Sequence, residues 1–238
     1  MKRALITGAS SPIGQSVARH LAEQGRSLIL HANSNAEAVE SLAVELQTGG
    51  TPAQTLIADL TDPKVMPVLQ ALAEEDPVQI VVLNAGLHRD IPFAAMKAED
   101  WRDVIDVNLT GVFTALRPLI LPMMRTRWGR IVAISSLTAV TGNRGQTNYA
   151  AAKGGLLPLM KSLTREYGAR GITANVVAPG VIATPDTQSL ANYNELVKLS
   201  PAGRAGKVEE VASLVGFLAS DHAGYISGQL IAVDGGTT

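Results

Sequence analysis

The sequence predicts an α/β fold: one doubly wound parallel sheet of about seven strands with helices on both faces. Short apolar runs bounded by Gly, Asn or Asp recur along the chain without period-two alternation. This pattern is typical of parallel strands that are buried on both faces. Segments with apolar residues at helical spacing separate the runs. Because strand and helix alternate from end to end, we expect a single domain that spans residues 1–238.

The predicted strands lie at residues 4–7, 28–31, 55–58, 80–83, 131–134, 173–177 and 230–233. Apolar stripes mark the helices between them, as at Val39, Leu42, Ala43 and Leu46, and at Val208, Val211, Ala212, Val215 and Leu218. A sheet of this kind binds ligands at the carboxyl ends of its strands. The functional site is therefore expected in the residues that follow each strand.

The composition excludes several classes of protein. Hydrophobic residues make up 46% of the chain, which is enough for a sizeable core. A net charge of −1 lacks the basic excess of a nucleic-acid-binding chain. Cysteine is absent and histidine occurs four times, so neither a disulfide framework nor a metal site is expected. No uninterrupted apolar run approaches about 18 residues, and the apolar start is too short for a signal peptide. We expect a soluble, cytoplasmic protein with no membrane or nucleic-acid partner.

A glycine-containing turn follows the first strand and reads Thr7-Gly8-Ala9-Ser10-Ser11-Pro12-Ile13-Gly14. Such a turn lets backbone N–H groups approach a diphosphate, and the dipole of the following helix favours that charge. The spacing is not G-x-G-x-x-G. A plain strand–helix turn capped by serine is therefore the alternative interpretation.

Tyr149 and Lys153 are four residues apart and so share one face of a helix. A cation about 4 Å from a phenol is worth roughly 4 kcal/mol at an effective dielectric of about 20. That would lower the tyrosine pKa by roughly three units from about 10. A surface pair without consequence is the alternative. Ser136, at the end of the fifth strand, is expected to line the same cleft.

Asn108 lies inside the apolar stripe of the fourth helix, which includes Trp101, Val104 and Val112. A buried amide needs hydrogen-bond partners. Two interpretations remain open: a structural asparagine that binds a neighbouring loop, or one that holds an ordered water for proton supply.

Together these features resemble the short-chain dehydrogenase/reductase family over the whole chain. Asn84-Ala85-Gly86 resembles the family's segment after the fourth strand, and Pro179-Gly180 followed by Thr184 resembles its nicotinamide loop. Four residues match the family's catalytic tetrad in order and spacing: Asn108, Ser136, Tyr149 and Lys153.

The chain departs from the family at Pro12, where glycine is usual. Proline suits the first position of a helix. We therefore expect the turn to survive, with the Ile13 N–H still available to phosphate.

The resemblance implies a Rossmann-type fold and a role for each member of the tetrad. Tyr149 would donate a proton to a ketone oxygen as hydride arrives from the nicotinamide. Ser136 would hold the same oxygen. Lys153 would bind the nicotinamide ribose and lower the pKa of Tyr149, and Asn108 would support the water that reprotonates this relay.

The resemblance also implies the following cofactor contacts: Gly8, Ser10, Ser11, Ile13, Gly14, Asn33, Ser34, Asp59, Leu60, Asn84, Ala85, Gly86, Tyr149, Lys153, Pro179, Gly180, Ile182 and Thr184. NAD-preferring sites place an acidic residue after the second strand. This chain instead has His31-Ala32-Asn33-Ser34-Asn35 there. We therefore expect NADP(H), although this segment lacks Arg and Lys and Ser11 stands where many NADP-preferring relatives carry Arg.

Within the family, residues 142–146, 148–153, 171–180 and 201–204 resemble bacterial 3-oxoacyl-[acyl-carrier-protein] reductases. That implies NADPH-dependent reduction of the 3-oxo group of a carrier-bound acyl thioester, in fatty acid or polyketide biosynthesis. Arg127 and Arg170 match basic positions that dock an acidic acyl carrier protein near the cleft. Solvated surface charges are the alternative. Pro12 and Trp128 leave open a specialised paralogue, such as an aryl-polyene ketoreductase.

Two other classes of protein remain open. A reductase or dehydrogenase of a small free ketone, alcohol or sugar would use the same tetrad without the two arginines. A non-catalytic, cofactor-sensing protein would lack part of the tetrad.

The resemblance further implies a homo-oligomer, commonly a tetramer. The fourth and fifth helices would form one interface, and the C-terminal strand would approach another. These helices carry apolar residues beyond one stripe, such as Phe113, Leu119 and Leu157. Residues 185–203 are expected to form a small substrate lid.

Overall fold

The computed structural model describes residues 1–238 and contains one parallel sheet of seven strands in the order β3-β2-β1-β4-β5-β6-β7. The strands are β1 Arg3–Thr7, β2 Ser27–Ala32, β3 Ala53–Ile57, β4 Val78–Leu83, β5 Gly129–Ile134, β6 Ile172–Pro179 and β7 Leu230–Val233. All seven predicted strands are confirmed, as is the Rossmann-type α/β fold. The strand order reverses between β1 and β4, which places the switch point of the sheet after these two strands.

Eleven α-helices connect and cover the strands. They are α1 Pro12–Glu23, α2 Ala36–Thr48, α3 Val65–Glu75, α4 Ala98–Ile105, α5 Gly111–Thr126, α6 Thr138–Thr141, α7 Thr147–Gly154, α8 Leu156–Tyr167, α9 Pro185–Gln188, α10 Tyr193–Lys198 and α11 Val208–Leu218. Residues 185–203, the predicted lid, contain α9 and α10.

Each face of the sheet has its own hydrophobic core, which explains why the strands are apolar without alternation. Ala4 and Ile6 of β1 pack into the core beneath α1, α2 and α11. Leu5, between them, packs into the opposite core beneath α3, α5 and α8. Successive side chains of a strand point to opposite faces, so a strand covered on both sides needs an apolar residue at every position.

The first helix begins as the sequence predicts. Ser11 is its N-cap, and the Ser11 hydroxyl accepts a hydrogen bond from the Gly14 N–H at 3.1 Å. Pro12 stands in the first turn, where its missing N–H leaves no hydrogen bond unmade. The departure from glycine at this position therefore leaves the turn intact.

Residues 98–126 form one long helical stretch in which α4 and α5 are joined by a π-helical segment, Asp106–Thr110. By length and composition alone this stretch could cross a membrane, but 56% of its most apolar window is buried inside the protein. Leu116, Leu119 and Met123 of α5 belong to the core beneath the sheet. The stretch is thus a core helix of the α/β fold.

Candidate active site

The turn after β1 packs so closely on the segment after β4 that two of its positions require glycine. Gly8 has a φ of +64°, and a Cβ there would lie 2.8 Å from the Ala85 Cα. A Cβ on Gly14 would overlap the Gly8 carbonyl oxygen. Backbone alone therefore forms the wall of the turn, which leaves room for a ligand to approach its N–H groups.

Asn84 holds this turn in place. Its Nδ2 donates hydrogen bonds to the Thr7 oxygen at 3.1 Å, the Gly8 oxygen at 2.9 Å and the Ser11 hydroxyl at 3.1 Å. The Thr7 hydroxyl in turn accepts hydrogen bonds from the N–H groups of Asn84 and Ala85. Hydrogen bonds thus join the segment after β4 to the segment after β1 at the switch point of the sheet.

A cleft of about 600 Å³ opens at this edge of the sheet and joins the turn to three members of the tetrad, Ser136, Tyr149 and Lys153. The structure brings these predicted residues into its lining: Gly8, Ser10, Ser11, Ile13, Asn33, Ser34, Asn84, Ala85, Gly86, Ser136, Tyr149, Lys153, Pro179, Gly180, Ile182 and Thr184. Gly14, Asp59, Leu60 and Asn108 do not line it. Gly14, Leu60 and Asn108 are buried in the protein.

Several lining residues were not predicted as site residues, among them His31, Leu87, His88 and Asp186. Each of them follows or ends a segment at the carboxyl edge of the sheet. The position of His31 at the end of a predicted strand was the only signal that could have singled it out.

Asn108 is completely buried in the π-helical segment between α4 and α5. Its Nδ2 donates to the oxygens of Leu87 at 2.6 Å and Val104 at 2.8 Å, and its Oδ1 accepts from the Leu87 N–H at 3.3 Å. π-helical turns inside α-helices occur frequently at functional sites. These contacts are those of an asparagine that binds a neighbouring loop, and the water-holding role stays a prediction.

Lys153 is buried at the centre of the cleft. Its Nζ donates to the Ile134 oxygen at 2.9 Å, and burial lowers its pKa from 10.5 to about 8. A Cβ added to Gly86 would lie 3.5 Å from this Nζ and 3.0 Å from the Asn108 Oδ1. A side chain at this position would therefore crowd both polar groups, which explains why glycine fits here.

Tyr149 has a raised pKa of about 12, chiefly because burial disfavours the charged phenolate. The Ser136 hydroxyl lowers the pKa of Tyr149, whereas the Asp90 carboxylate raises it further. Lys153 is not among the causes of this shift: its Nζ lies 5.8 Å from the centroid of the tyrosine ring and donates to the Ile134 oxygen, so a lowering of the Tyr149 pKa by Lys153 stays a prediction. The phenol is therefore protonated at neutral pH, as an ordinary tyrosine is, and its role as proton donor stays a prediction.

Ser136 and Tyr149 are held together by the segment that follows β5. The Ser135 hydroxyl donates to the Lys153 oxygen at 3.1 Å, which ties this segment to α7. The Ser136 hydroxyl accepts a hydrogen bond from the Thr138 N–H at 3.2 Å, so its own proton is available to a substrate oxygen.

A network of hydrogen bonds between the loop after β4 and the loop before α7 was not predicted. The Gln146 side chain donates to the Asp90 carboxylate at 2.8 Å and accepts from Thr138 and Asn143, each at 3.1 Å. The Ile91 N–H also donates to the Gly145 oxygen at 2.8 Å. These bonds join the loop after β4 to the loop before α7, the helix that carries Tyr149.

A second cavity of about 530 Å³ adjoins the cleft and shares Ser136 and Gly180 with it. Its apolar wall includes three residues of the predicted lid, Leu190, Leu196 and Leu199, and three outside it, Leu137, Val181 and Val233. A mostly apolar cavity with a few convergent polar groups is the usual form of a small-molecule site. The serine therefore lies where two ligands, one in each cavity, would meet.

The two arginines predicted to dock a carrier lie elsewhere. Arg127 precedes β5 and Arg170 precedes β6, so both are at the amino edge of the sheet. Strand β6 alone spans about 26 Å at about 3.3 Å per residue. The expectation that they lie near the cleft is therefore wrong within one chain, although both side chains are exposed and the two turns touch through the Arg127 oxygen and Gly171.

The residues around the first cleft fit a dinucleotide. Gly8 and Gly14 leave room for a ligand to contact the backbone of the turn. The N-terminus of the twelve-residue helix α1 faces the cleft, where it favours a diphosphate. The buried Lys153 can donate a hydrogen bond to a ribose hydroxyl. Lys153, Asn84 and the turn from Gly8 to Ile13 would hold it, and a nicotinamide ring supplies hydride chemistry when bound. The chain's own contribution is a protonated tyrosine and a serine hydroxyl beside the ring site.

The fold, the turn and the tetrad define an oxidoreductase that uses a nicotinamide cofactor, and the chain belongs to the short-chain dehydrogenase/reductase family. A family model described as enoyl-(acyl carrier protein) reductase matches residues 8–238. The chain is 44% identical over 239 residues to the 3-oxoacyl-[acyl-carrier-protein] reductase FabG of Escherichia coli (strain K12), covering 99% of this chain and 96% of that protein.

Two further relatives are similar over the same span. The FabG protein of Pseudomonas aeruginosa is 41% identical over 240 residues, which cover 99% of this chain and 96% of that protein. Nodulation protein G of Rhizobium sp. (strain N33) is 44% identical over 239 residues, which cover 99% of this chain and 96% of its own length.

Proposed function

We propose that this protein reduces the 3-oxo group of an acyl thioester on an acyl carrier protein to a 3-hydroxyacyl thioester, with NADPH as hydride donor. The observation that carries the proposal is the junction of the two cavities at Ser136, in a cleft that Tyr149 also lines. The names of the relatives support the substrate, since FabG proteins are 3-oxoacyl-[acyl-carrier-protein] reductases.

In this proposal the side chains act on the carbonyl oxygen of the substrate. Ser136 donates a hydrogen bond to it, and Tyr149 donates the proton that completes the alcohol. Lys153 binds the nicotinamide ribose, and Asn108 supports the water that reprotonates the relay. The substrate enters through the second cavity, beneath the lid formed by residues 185–203.

Tyr149→Phe tests the proton donor. The variant keeps the ring that packs in the cleft but has no proton to give, so we expect turnover to fall by about 10²- to 10⁴-fold while NADPH still binds. Steady-state kinetics and fluorescence titration with NADPH measure the two effects. Tyr225→Phe, at a fully exposed tyrosine, is the control. Unchanged turnover in Tyr149→Phe would remove Tyr149 from the mechanism.

NADP(H) is the proposed cofactor because the residues after β2 that line the cleft carry no acid. Asn33 and Ser34 are exposed there and offer neutral hydrogen-bond groups to a 2′-phosphate, where a carboxylate would repel it. Comparing initial rates with NADPH and NADH tests this assignment, and a preference for NADH would overturn it.

Carrier docking at Arg127 and Arg170 is the second part of the proposal. Both side chains are exposed on the same edge of the sheet, and an acidic carrier would be attracted to them. Because this edge is remote from the chain's own cleft, we place the cleft that receives the acyl group in a neighbouring subunit. A carrier bound to one subunit would then deliver its acyl group to the cleft of the neighbouring subunit, so oligomerisation is needed to bring the two together.

The substrate experiment compares one 3-oxoacyl group on a carrier protein with the same group on a short free thioester. We expect faster NADPH oxidation with the carrier. Charge reversal of Arg127 and Arg170 to Glu should reduce the carrier-bound rate by at least about tenfold and spare the free thioester. Lys64→Glu, at an exposed lysine elsewhere, is the control.

A reductase of a small free ketone, alcohol or sugar is the alternative function. It would use the same tetrad and turn over its substrate independently of the two arginines. Equal, slow rates on the carrier-bound and free thioesters would favour this alternative. An aryl-polyene ketoreductase would instead show a preference for conjugated 3-oxo chains on the carrier.

We further propose that the protein is a cytoplasmic homo-oligomer, a tetramer in the simplest case. One interface lies on α5 and α8, which belong to the helices predicted from the sequence as the fourth and the fifth. Phe113 and Leu121 of α5 are exposed by 53% and 64%, and Leu157 of α8 is partly exposed, whereas Leu119 lies in the core. A cavity of about 530 Å³ between α5 and α8 gives this face a groove that a second copy can fill.

A further inference from the structure

His31 is buried at the end of β2, and each of its ring nitrogens meets a backbone group. The Gly8 N–H donates to Nδ1 at 3.3 Å, and Nε2 lies 2.9 Å from the Ala58 oxygen. A carbonyl oxygen only accepts and a backbone N–H only donates, so the two partners together assign the proton to Nε2. The imidazole is therefore a neutral ring in one tautomer.

The two partners belong to different segments: Gly8 lines the cofactor cleft, whereas Ala58 lies in the segment after β3, behind the lining residues. Gly8 opens the turn after β1, and Ala58 follows β3, immediately before Asp59. The backbone of β2 reinforces the link, because the Ala9 N–H donates to the His31 oxygen at 2.8 Å and the Ala58 N–H donates to the Ala32 oxygen at 3.0 Å. One side chain thus joins the turn to the exit of β3.

These bonds also determine which N–H groups of the turn remain for a ligand. Gly8 and Ala9 donate to His31, Ser11 donates to the Gly8 oxygen at 3.1 Å, and Gly14 donates to the Ser11 hydroxyl. The N–H groups of Ser10 and Ile13 are left to face the cleft that they line. His31 therefore accepts the hydrogen bonds of Gly8 and Ala9 at the start of the turn, and the N–H groups of Ser10 and Ile13 remain available to an anion.

We propose that His31 is a positioning residue of the cofactor site, whose neutral imidazole holds the diphosphate-binding turn in register with the segment that follows β3. The inference rests on the nicotinamide cofactor of the proposed function. Removing the imidazole would free the Gly8 and Ala58 groups from each other and let the turn sample conformations that do not bind diphosphate. The loss is expected in cofactor affinity rather than in proton transfer at Tyr149.

Burial keeps the imidazole in the state that this role requires, because it lowers the pKa of His31 below 6.5. The Ala58 oxygen and the Asp59 carboxylate act in the opposite direction. Protonation would place a second N–H on Nδ1, facing the Gly8 N–H, and so break that hydrogen bond.

Three substitutions separate the two hydrogen bonds of the ring. In His31→Asn the side-chain amide occupies the Nδ1 position and can still accept from Gly8. In His31→Gln the amide reaches the Nε2 position and can still donate to Ala58. His31→Leu loses both bonds, and Ile29→Val, at a fully buried residue on the same face of β2, is the control for a general loss of packing.

The measurements are the NADPH dissociation constant, by fluorescence titration, and hydrogen exchange at the Gly8 and Ala9 amides without ligand. We expect His31→Leu and His31→Gln to weaken NADPH binding by about tenfold and to speed exchange at both amides. His31→Asn keeps the bond to Gly8 but loses the link to Ala58, so its affinity should fall between those of the wild type and His31→Leu, and Ile29→Val should match the wild type. KM for NADPH should rise with the dissociation constant, with a smaller change in kcat. Nitrogen-15 NMR of the wild-type imidazole should show the Nε2–H tautomer.

Wild-type affinity for NADPH in folded His31→Leu would overturn the inference and leave the proposed function untouched. The Nδ1–H tautomer would overturn it as well. Conversely, a wild-type protein that binds NADPH but does not reduce a carrier-bound substrate would overturn the proposed substrate, while the binding and exchange data would still decide the role of His31.

Discussion

Burial of Lys153 couples the active site to the stability of the whole chain. The lysine is 4% exposed and its pKa in the folded protein is lowered to about 8 from 10.5, the value it regains on unfolding. Between these two pKa values the unfolded chain holds the lysine proton and the folded chain does not. The free energy of unfolding therefore rises with pH in this window.

We predict that the wild type gains roughly 2 kcal/mol of stability between about pH 7 and pH 9.5, and that Lys153→Met lacks this gain. Urea unfolding at the two pH values measures it. No thiol titrates in this range because the chain has no cysteine. The raised pKa of Tyr149 acts in the opposite sense, but only above its usual value of 10. Parallel pH dependences for the two proteins would contradict the prediction.

At the scale of single elements, the end of α5 carries a local strain. Arg127 follows the helix with φ 51° and ψ 30°, and it is the only non-glycine residue in the left-handed region. An L-residue with a Cβ pays roughly 1–2 kcal/mol to adopt this conformation, and glycine is the usual residue at such a helix end. The exposed Arg127 therefore occupies a backbone conformation that glycine would adopt at a lower free-energy cost.

Arg127→Gly should raise the thermal midpoint of unfolding, because relief of strain worth roughly 1–2 kcal/mol exceeds the extra backbone entropy of glycine, about 0.5–1 kcal/mol. Arg125→Gly, within the last turn of the same helix, should lower it by contrast. Calorimetry at one protein concentration compares the variants. If Arg127→Gly also turns over the carrier-bound substrate more slowly, stability and docking oppose each other at this position. A midpoint below that of the wild type would refute the strain argument.

On the scale of the whole molecule, the most exposed apolar side chains of α5 predict assembly. Phe113 and Leu121 are eight residues apart, so they lie near the same face of the helix, beside the groove against α8. Exposed apolar surface of this kind marks a contact with another protein, and a two-fold axis would bring the same face of a second copy against it.

The double variant Phe113→Glu with Leu121→Glu should therefore form smaller particles than the wild type. Light scattering after size exclusion measures the mass against the subunit mass of 24.9 kDa. Val44→Glu, at an exposed valine of α2, should leave the assembly unchanged. A wild type of one subunit mass, or an unaffected double variant, would show that α5 forms no interface.

The amino-acid sequence by itself determines much of the architecture. A strand buried on both faces must be apolar at every position, so seven such runs and their helical spacers specify a covered parallel sheet. The four-residue spacing of Tyr149 and Lys153 places both on one helix face, and the fixed φ of Pro12 suits the start of α1. These are local properties of the backbone, and they hold wherever the chain folds.

Other properties of the site depend on which segments the fold brings together. The pKa of Tyr149 rises because burial removes water from the phenol, and the distance from Lys153 is set by the Ile134 oxygen on another element. Arg127 and Arg170 lie at the edge opposite the cleft because both precede strands of a parallel sheet. His31 contacts Gly8 and Ala58 across three strands. Desolvation and long-range hydrogen bonds arise only from packing, so the folded structure alone decided the electrostatics and the partners of these side chains.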